Sequence, residues 1–314
     1  MRTLILAIAT SCPAALIAQS LSPTVIASTG GSGTVGGVSV DWTVGEVAVT
    51  TLDNGTNRLT QGFHQGDPLK LRLNVRNFLQ GPYDSGTGLM ADQLRSSAYL
   101  PLSEPYTGLG FTHVGGGGES TEPSVLAVPG NDAIVDWIFL ELRDKNDNTS
   151  VLATRSALVQ RDGDVVDVDG TSAVGFNAPA DDYFVCVKHR NHFSVLTLNT
   201  VALSSTSLSL DLTDGSTAVY GTDAQNILGG TRVSWSGNTN GDDLIKYAGL
   251  NNDRDVILSA VGGSVPTAVV NGYREEDVNM DGAVKYAGIQ NDRDKVLQNI
   301  GGSVPTAVKV EQLP

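Results

Sequence analysis

Short apolar segments, separated by turns rich in Gly, Ser, Asn and Asp, characterise the chain after its first twenty residues. Val38, Val40 and Trp42 alternate with polar residues, as a strand with one buried face requires. The Asn54–Gly55 pair suits a tight hairpin turn, because both residues adopt positive φ readily. The pattern predicts a mainly β protein that begins with a compact β-module over residues 19–67.

Longer strand-like runs fill residues 68–219, and their spacing is typical of a β-sandwich: LKLRLNVRNFL, AIVDWIFLELR, VLATRSALVQ, YFVCVKH and VLTLNTVALS. The segment 182–187 resembles the penultimate strand of immunoglobulin-like domains, and this resemblance implies an immunoglobulin-like β-sandwich. We expect a short helix over residues 89–95 to cap the sandwich. The Pro- and Gly-rich segment 101–118 predicts a long irregular loop, and binding residues concentrate in such loops.

An internal repeat occupies residues 220–314, with equivalent positions 277 − 238 = 39 residues apart. Three segments of the first copy return in the second: Asn238–Asp242 as Asp277–Asp281, Lys246–Gly249 as Lys285–Gly288, and Asn252–Asp255 as Asn291–Asp294. The segment GGSVPTAV ends both copies without a change. These residues form the third predicted unit, a small domain of loops and helices.

Residues 1–18 have the pattern of a secretory signal peptide, with Arg2 before an apolar stretch that ends at small residues. Ser11, Cys12 and Pro13 interrupt the apolar stretch, so it is too short and too broken for a transmembrane segment. After cleavage Cys186 would be the one remaining cysteine, and it could form no internal disulfide. We therefore expect a secreted protein at the cell surface or outside the cell.

The charge balance narrows the choice of partners. The chain has 20 Lys and Arg against 34 Asp and Glu, a net charge of −14. Such a charge repels nucleic-acid phosphates and anionic membrane surfaces, and it attracts cations. We therefore expect no nucleic-acid partner.

The repeated loops have the chemistry of a calcium site. Calcium binds six to eight oxygens, and side chains at loop positions 1, 3 and 5 converge on one centre. Gly282 occupies position 6 of the second loop, where the chain turns sharply. The predicted ligands are Asn238, Asn240 and Asp242 with the carbonyl of Leu244 in the first loop, and Asp277, Asn279 and Asp281 with the carbonyl of Ala283 in the second.

The two loops and the apolar helical segments after them resemble dockerin modules, which are calcium-dependent docking domains built from two EF-hand-like repeats. The resemblance implies a carboxylate at position 12, which falls here on Gly249 and Gly288. KYAG and the two residues after it form an insertion, and NDRD then resumes the pattern. The candidates for the closing ligand are Asp255 and Asp294, with Asp253 and Asp292 as the alternative.

Other functions for these residue types remain open. Asn and Asp before an apolar helix also act as N-caps without any metal. Residues 162–169 are dense in Asp, which favours turns around a strand and leaves a further ion site as the alternative. His189 and His192 are expected in a turn, with a metal or base role as the alternative. The repeats contain no His or Cys, so calcium is favoured over zinc.

No GxSxG, HExxH or GxxxxGK motif occurs, and we expect a non-catalytic protein. WTVGE at residue 42 and LTQGF at residue 59 resemble the N-terminal β-module of large secreted proteins of Gram-negative bacteria. The sequence thus predicts a calcium-binding structural or adhesive protein that forms homo-oligomers or polymers. A calcium-dependent docking module for a protein partner and a carbohydrate-binding or carbohydrate-active accessory protein are the alternatives.

Overall fold

A computed structural model describes residues 29–35, 38–44, 52–53, 58–59 and 71–314. The chain forms two compact units, Met1–Asp67 and Pro68–Pro314. In the first unit, strand β1 (Thr29–Val35) pairs antiparallel with β2 (Val38–Val44), and β3 (Leu52–Asp53) pairs with β4 (Arg58–Leu59). The predicted signal peptide and the Asn54–Gly55 turn lie outside the described residues.

The second unit contains most of the strands and all of the described helices. Before the repeats its elements are β5 (Leu71–Arg76), β6 (Tyr83–Asp84), β7 (Leu89–Met90), α1 (Gln93–Ser96), α2 (Pro123–Leu126), β8 (Ile134–Asp144), β9 (Asp147–Gln160), β10 (Asp164–Val166), β11 (Val174–Phe176), β12 (Asp181–Lys188), β13 (Val195–Leu196), β14 (Val201–Leu203) and β15 (Leu208–Asp211). The repeat region adds β16 (Gln225–Leu228), β17 (Thr231–Ser234), β18 (Leu244–Lys246), α3 (Asp253–Ala260), β19 (Val269–Asn271), β20 (Ala283–Lys285), α4 (Asp292–Asn299) and β21 (Val308–Val310).

One hydrogen-bonded sheet dominates the described part of this unit. Its strands follow the order β11-β5-β10-β9-β8-β12-β13, with β14 paired to β12 and β15 paired to β5. The pairs along this order are antiparallel, whereas β15 runs parallel to β5. The prediction of a mainly β protein is confirmed.

Strand β8 forms the centre of the main core, and ten consecutive residues of it are buried. Two hydrogen bonds attach the loop before it to this strand: the Tyr106 hydroxyl donates to the carbonyl of Trp137 at 2.8 Å, and Trp137 Nε1 donates to the carbonyl of Pro101 at 2.8 Å. The segment expected to be an irregular loop is therefore held against the core by buried aromatic side chains.

The prediction of a helix over residues 89–95 is correct only at its C-terminal end. Leu89 and Met90 form a strand that pairs with Tyr83 and Asp84, and the helix begins at Gln93. Gly88 has φ of +73°, a left-handed conformation that closes this hairpin. The Asp-rich segment 162–169 forms a short strand with turns on both sides.

The repeats pack directly onto the sheet, so residues on both sides of the boundary predicted at 219 fold together. Gln80 Nε2 donates to Asn299 Oδ1 at 2.7 Å, and Asn191 Nδ2 donates to the carbonyl of Asp277 at 2.9 Å. Phe193, from the sheet region, belongs to the apolar core of the repeats, and Met280, from the second repeat, belongs to the core of the sheet.

A buried polar network lies at this junction, and it includes His189 and His192 in the segment directly after strand β12. Both histidines are buried. The Asp136 carboxylate contacts Arg190 at 3.0 Å and His189 at 3.1 Å, and it accepts a hydrogen bond from the Tyr273 hydroxyl at 2.7 Å. Although burial opposes ionisation, Arg190 and His189 hold the pKa of Asp136 below its ordinary value. The sequence did not predict this network, because the residues that form it are distant along the chain.

In the described part of the chain, no helix is both long and apolar enough to span a membrane. Cys186 is a free buried thiol, and burial raises its pKa to about 12. It has the environment of a structural core residue.

Burial of His192 predicts that this residue destabilises the fold in acid. Burial lowers the pKa of His192 well below its ordinary value, and Nε2 accepts a hydrogen bond from the Gly81 amide at 3.0 Å, which requires the neutral ring. At this position the unfolded chain therefore binds more protons between pH 7 and 5, so His192 contributes a loss of stability as the pH falls, of up to about 1.4 kcal/mol per pH unit. Burial raises the pKa values of the loop carboxylates Asp253, Asp277 and Asp292, and these groups contribute in the opposite direction over the same range.

Urea unfolding of the wild type and of His192→Gln at pH 7, 6 and 5 isolates this contribution. The variant should lose less stability than the wild type on acidification, because its amide oxygen can accept the same bond without titrating. An identical slope in the variant would show that His192 is not the titrating group.

Candidate metal centre in the repeated loops

The two repeats are interlocked through their strands. In each copy an Asn/Asp loop leads into a three-residue strand, and a helix follows. The loop strand β18 of the first copy pairs with β21, which ends the second copy. The loop strand β20 of the second copy pairs with β19, which ends the first copy. Each loop strand thus pairs with a strand of the other copy. An identical GGSVPTAV segment leads into each of the two terminal strands.

The second loop curls around its own side chains. Asp277 accepts hydrogen bonds from the amides of Asp281 at 3.1 Å and Gly282 at 2.8 Å. Asn279 Oδ1 accepts from the Asp281 amide at 2.9 Å, and Asp281 Oδ1 accepts from the Ala283 amide at 2.9 Å. Gly282 has φ of +83°, as the sharp turn at position 6 was expected to require. The structure therefore brings Asp277, Asn279 and Asp281 into one nested turn.

The first residue of each helix points back into its loop. Asp292 is 0% exposed; its Oδ1 accepts from the Val278 amide and its Oδ2 from the Lys285 amide, both at 2.7 Å. Asp253, also 0% exposed, makes the two equivalent bonds in the first copy at the same distance. Of the two pairs of candidate closing ligands, Asp253 and Asp292 are the pair that the structure places against the loops.

Asp255 and Asp294 are placed differently. Their side chains are 55% and 46% exposed, and each forms an ion pair with the arginine before it, at 2.8 and 2.9 Å. The N-caps are Asn252 and Asn291, whose Oδ1 atoms accept from the amides of Asp255 and Asp294 at 2.9 Å. The two asparagines therefore act as N-caps, as the alternative predicted. The aspartates that follow them, Asp253 and Asp292, are the residues whose carboxylates contact the loops.

The KYAG insertion explains the displaced closing residue. Gly249 and Gly288 have φ of +94° and +97°, and their carbonyls accept bonds from the Nδ2 atoms of Asn252 and Asn291 at 2.6 Å. The chain makes this extra turn before the helix begins, so position 12 falls in the turn. Only the path of the chain in space shows that the next aspartate returns to the loop.

Burial of these carboxylates raises their affinity for protons. Burial, together with the neighbouring Asp277 carboxylate, raises the pKa of Asp292 to about 7, against the opposing effect of the Lys285 amide. Burial likewise raises the pKa of Asp253 and of Asp277 to about 6. Among the described residues, Lys285 Nζ pairs with Asp281 at 2.6 Å, and no cationic side chain forms an ion pair with Asp292 or Asp253. A bound cation would supply the missing counter-charge.

The first loop differs from the second in charge. Asn238 replaces the first carboxylate, and its Oδ1 is buried with no hydrogen-bond partner among the described residues. Asp243 replaces the loop glycine and adopts φ of +61°. A buried acceptor without a partner is rare, and an oxygen-seeking cation would satisfy it. The residues of both loops thus fit a hard cation.

The donor set also defines the kind of metal. In the described residues, no three His, Cys, Asp or Glu side chains form a metal-holding cluster as they stand, so Asp277, Asp281 and Asp292 would have to move closer together to share one cation. Each loop instead combines carboxylates with Asn amides, and Leu244 and Ala283, whose carbonyls were expected to contribute, begin strands β18 and β20. Such an oxygen-only set suits calcium, which accepts amide and carbonyl oxygens.

Position 6 of each loop adopts a positive φ, but it is Gly282 in the second copy and Asp243 in the first, and this difference can be tested. Gly282→Ala would force a Cβ into a positive-φ conformation and to 3.0 Å from the Tyr99 ring, so we expect it to lower the free energy of unfolding by about 1–2 kcal/mol. The matched change Asp243→Gly should be neutral or stabilising, because it relieves the same strain in the first loop. Urea denaturation in EDTA tests both variants, and equal destabilisation by the two would contradict the assignment.

Comparison with known proteins adds no relative from which a role could be transferred. Protein-family models, curated proteins and solved structures give no match to this chain.

Proposed function

We propose that the chain is a secreted calcium-binding structural or adhesive protein of the cell surface or extracellular matrix. In this proposal, calcium held in the two repeated loops rigidifies the C-terminal repeats. The main support is the pair Asp253 and Asp292, fully buried carboxylates that are held against the loops by backbone amides. Buried carboxylates without a counter-charge are costly, and calcium is the ion that this oxygen set suits.

The proposed ligands are the oxygen-bearing side chains at positions 1, 3 and 5 of each loop and the aspartate that begins the helix after it. In the second loop they are Asp277, Asn279, Asp281 and Asp292. In the first they are Asn238, Asn240, Asp242 and Asp253, with one carboxylate fewer. Because affinity rises with the number of charged ligands, the first loop should bind calcium more weakly than the second.

A structural role is supported by the position of the second loop at the junction with the sheet. Asn191 donates to the backbone carbonyl of Asp277, and the Arg190 guanidinium lies close enough to oppose the raised pKa of Asp277. A cation in this loop would fix the backbone that the sheet contacts. Secretion is supported by the pattern of residues 1–18, and extracellular calcium is abundant enough to fill even modest sites.

We further propose that the sheet region is immunoglobulin-like. The Tyr183 hydroxyl donates to the carbonyl of Pro179, four residues upstream, at 2.7 Å, as in the tyrosine corner of that fold. The first strand of the region, β5, also pairs in parallel with its last strand, β15. Many cell-surface domains share this sandwich architecture.

A docking module is the second candidate function, and one specific observation favours it. Leu250 and Ile289, at equivalent positions of the KYAG insertions, are 89% and 91% exposed. Large apolar side chains so exposed at repeated positions are suited to contact with a protein partner. Affinity capture of partners with calcium and with EGTA, comparing the wild type with Leu250→Ser/Ile289→Ser, tests this candidate.

Isothermal titration with calcium is the direct test of the proposed function, and we expect two sites of unequal affinity. Asp292→Asn should weaken the tighter site by at least about tenfold, because it removes a buried carboxylate from the loop. Asp294→Asn, two residues away on the same helix turn, is the matched control and should leave the affinity unchanged. No heat of binding in the wild type, or a larger loss in Asp294→Asn, would contradict the assignment.

Calcium should also raise the melting temperature, since it binds the folded state. At a free concentration one hundred times the dissociation constant, one site adds about 2.7 kcal/mol to the free energy of unfolding. Differential scanning calorimetry with calcium and with EGTA measures this gain, and light scattering of the same samples measures assembly. A structural role predicts that chelation lowers both the melting temperature and the assembled fraction.

A further inference from the structure

A polar cavity of about 540 Å³ opens beside the first loop. Asn238 and Asn240, at positions 1 and 3 of this loop, form part of its wall. Residues of the sheet region, including Lys188 and Ser194, also line it, as do Glu275 and Glu311 of the repeats. We call this space the loop cavity. Its size is in the range of pockets that hold one small ligand.

Asn238 links the loop cavity to the proposed calcium site. Asn238 is only 7% exposed, and its Oδ1 has no hydrogen-bond donor among the described residues. The equivalent Asp277 is satisfied by two loop amides. The first loop therefore presents an unused oxygen at a place where a loop-bound cation would border the cavity.

The first loop would also leave more of the cation's coordination sphere open. Asn238 substitutes for a carboxylate that could bind through two oxygens, whereas an amide binds through one. Calcium requires six to eight oxygens, so further ligands must come from water or from a bound molecule. A molecule in the loop cavity would lie beside Asn238 and Asn240, two of the proposed ligands.

The charges of the cavity wall select the ligand. The basic side chains are already paired: Arg143 lies 2.6 Å and Lys188 3.3 Å from Glu141, and Arg190 lies 3.0 Å from Asp136.

The carboxylates that remain are those of Glu275, Glu311 and the exposed Asp243. Glu311 accepts a hydrogen bond from the Ser194 amide, and neither Glu275 nor Asp243 pairs with a basic side chain among the described residues. Carboxylates repel anions and accept hydrogen bonds from hydroxyl groups. The wall therefore favours a neutral molecule rich in hydroxyls.

We propose that the first loop and the loop cavity form a calcium-bridged binding site for a neutral sugar residue of a glycan. Two neighbouring hydroxyl oxygens complete the coordination of the calcium in the loop, and the same hydroxyl groups donate hydrogen bonds to the carboxylates of Glu311 and Glu275. This inference rests on the proposed function, because it requires calcium in the first loop. It gives the adhesive role a ligand class, namely surface polysaccharide.

A printed array of neutral glycans, probed with the fluorescently labelled full chain in 1 mM calcium and in EGTA, tests the site. We expect retention on a subset of glycans that EGTA abolishes. Competition with the methyl glycoside of the terminal sugar of each retained glycan should release the chain. Glu311→Gln and Asn238→Ala should each lower retention about tenfold or more. Glu122→Gln, an exposed matched change outside the cavity, should leave retention unchanged.

Calcium titration of the same proteins separates the outcomes. Calcium binding at two sites without glycan retention overturns the sugar site and leaves the proposed function intact. Absence of calcium binding overturns both. Retention that persists in EGTA or in Glu311→Gln also overturns the sugar site. Circular dichroism confirms the fold of Glu311→Gln, and Glu275→Gln provides the same test should that variant fail to fold.

Discussion

Burial of carboxylates at the start of each repeat helix is the interaction on which the C-terminal region depends. Asp253 and Asp292 use both carboxylate oxygens to hold the backbone of their loops, so each loop takes its shape from one acidic side chain. The same burial raises their pKa values into the range of neutral pH. Backbone amides hold these carboxylates in place but do not neutralise their negative charge. A bound divalent cation would supply the positive charge that the loops lack.

The interlocked strands extend this dependence to the whole repeat region. Since β18 pairs with β21 and β20 pairs with β19, neither loop strand has its partner within its own copy. The apolar core beneath them combines Ile245, Val284 and Val296 from both copies with Phe193 from the sheet region. A change of shape in one loop would therefore be felt in the other copy and in the sheet, because these elements share one close-packed core.

Polar contacts at the junction make the relation between sheet and repeats specific. Asn299 Nδ2 donates to the carbonyl of Ser236 at 2.6 Å, and Asn191 donates to the carbonyl of Asp277. The Asp136 carboxylate pairs with Arg190 and accepts a hydrogen bond from Tyr273. Buried groups of this kind must be satisfied in one arrangement, so they discriminate against alternative packings. The proposed calcium sites and the loop cavity lie beside this junction, which is where a ligand would contact both parts at once.

The sequence by itself determined the β class, the repeat and the sharp turn at Gly282, and it offered the capping asparagines as an alternative to metal ligands. Each of these depends on local spacing: alternation defines a strand, the Asn/Asp pattern with Gly282 defines the nested turn, and Asn291 before an apolar stretch defines an N-cap. Such signals can be recognised without knowing what packs where.

Only the tertiary structure decided which aspartate closes each loop and where the histidines lie. Asp292 and Asp294 are two residues apart on one helix, hence about 200° apart around its axis, so one faces the loop when the other faces solvent. Their sequence contexts are nearly alike, and the packing of the helix against the loop makes the choice. His192 is buried where its backbone pairs with that of Ser236 in the repeat region, and that contact joins residues too distant along the chain for a local pattern to reveal.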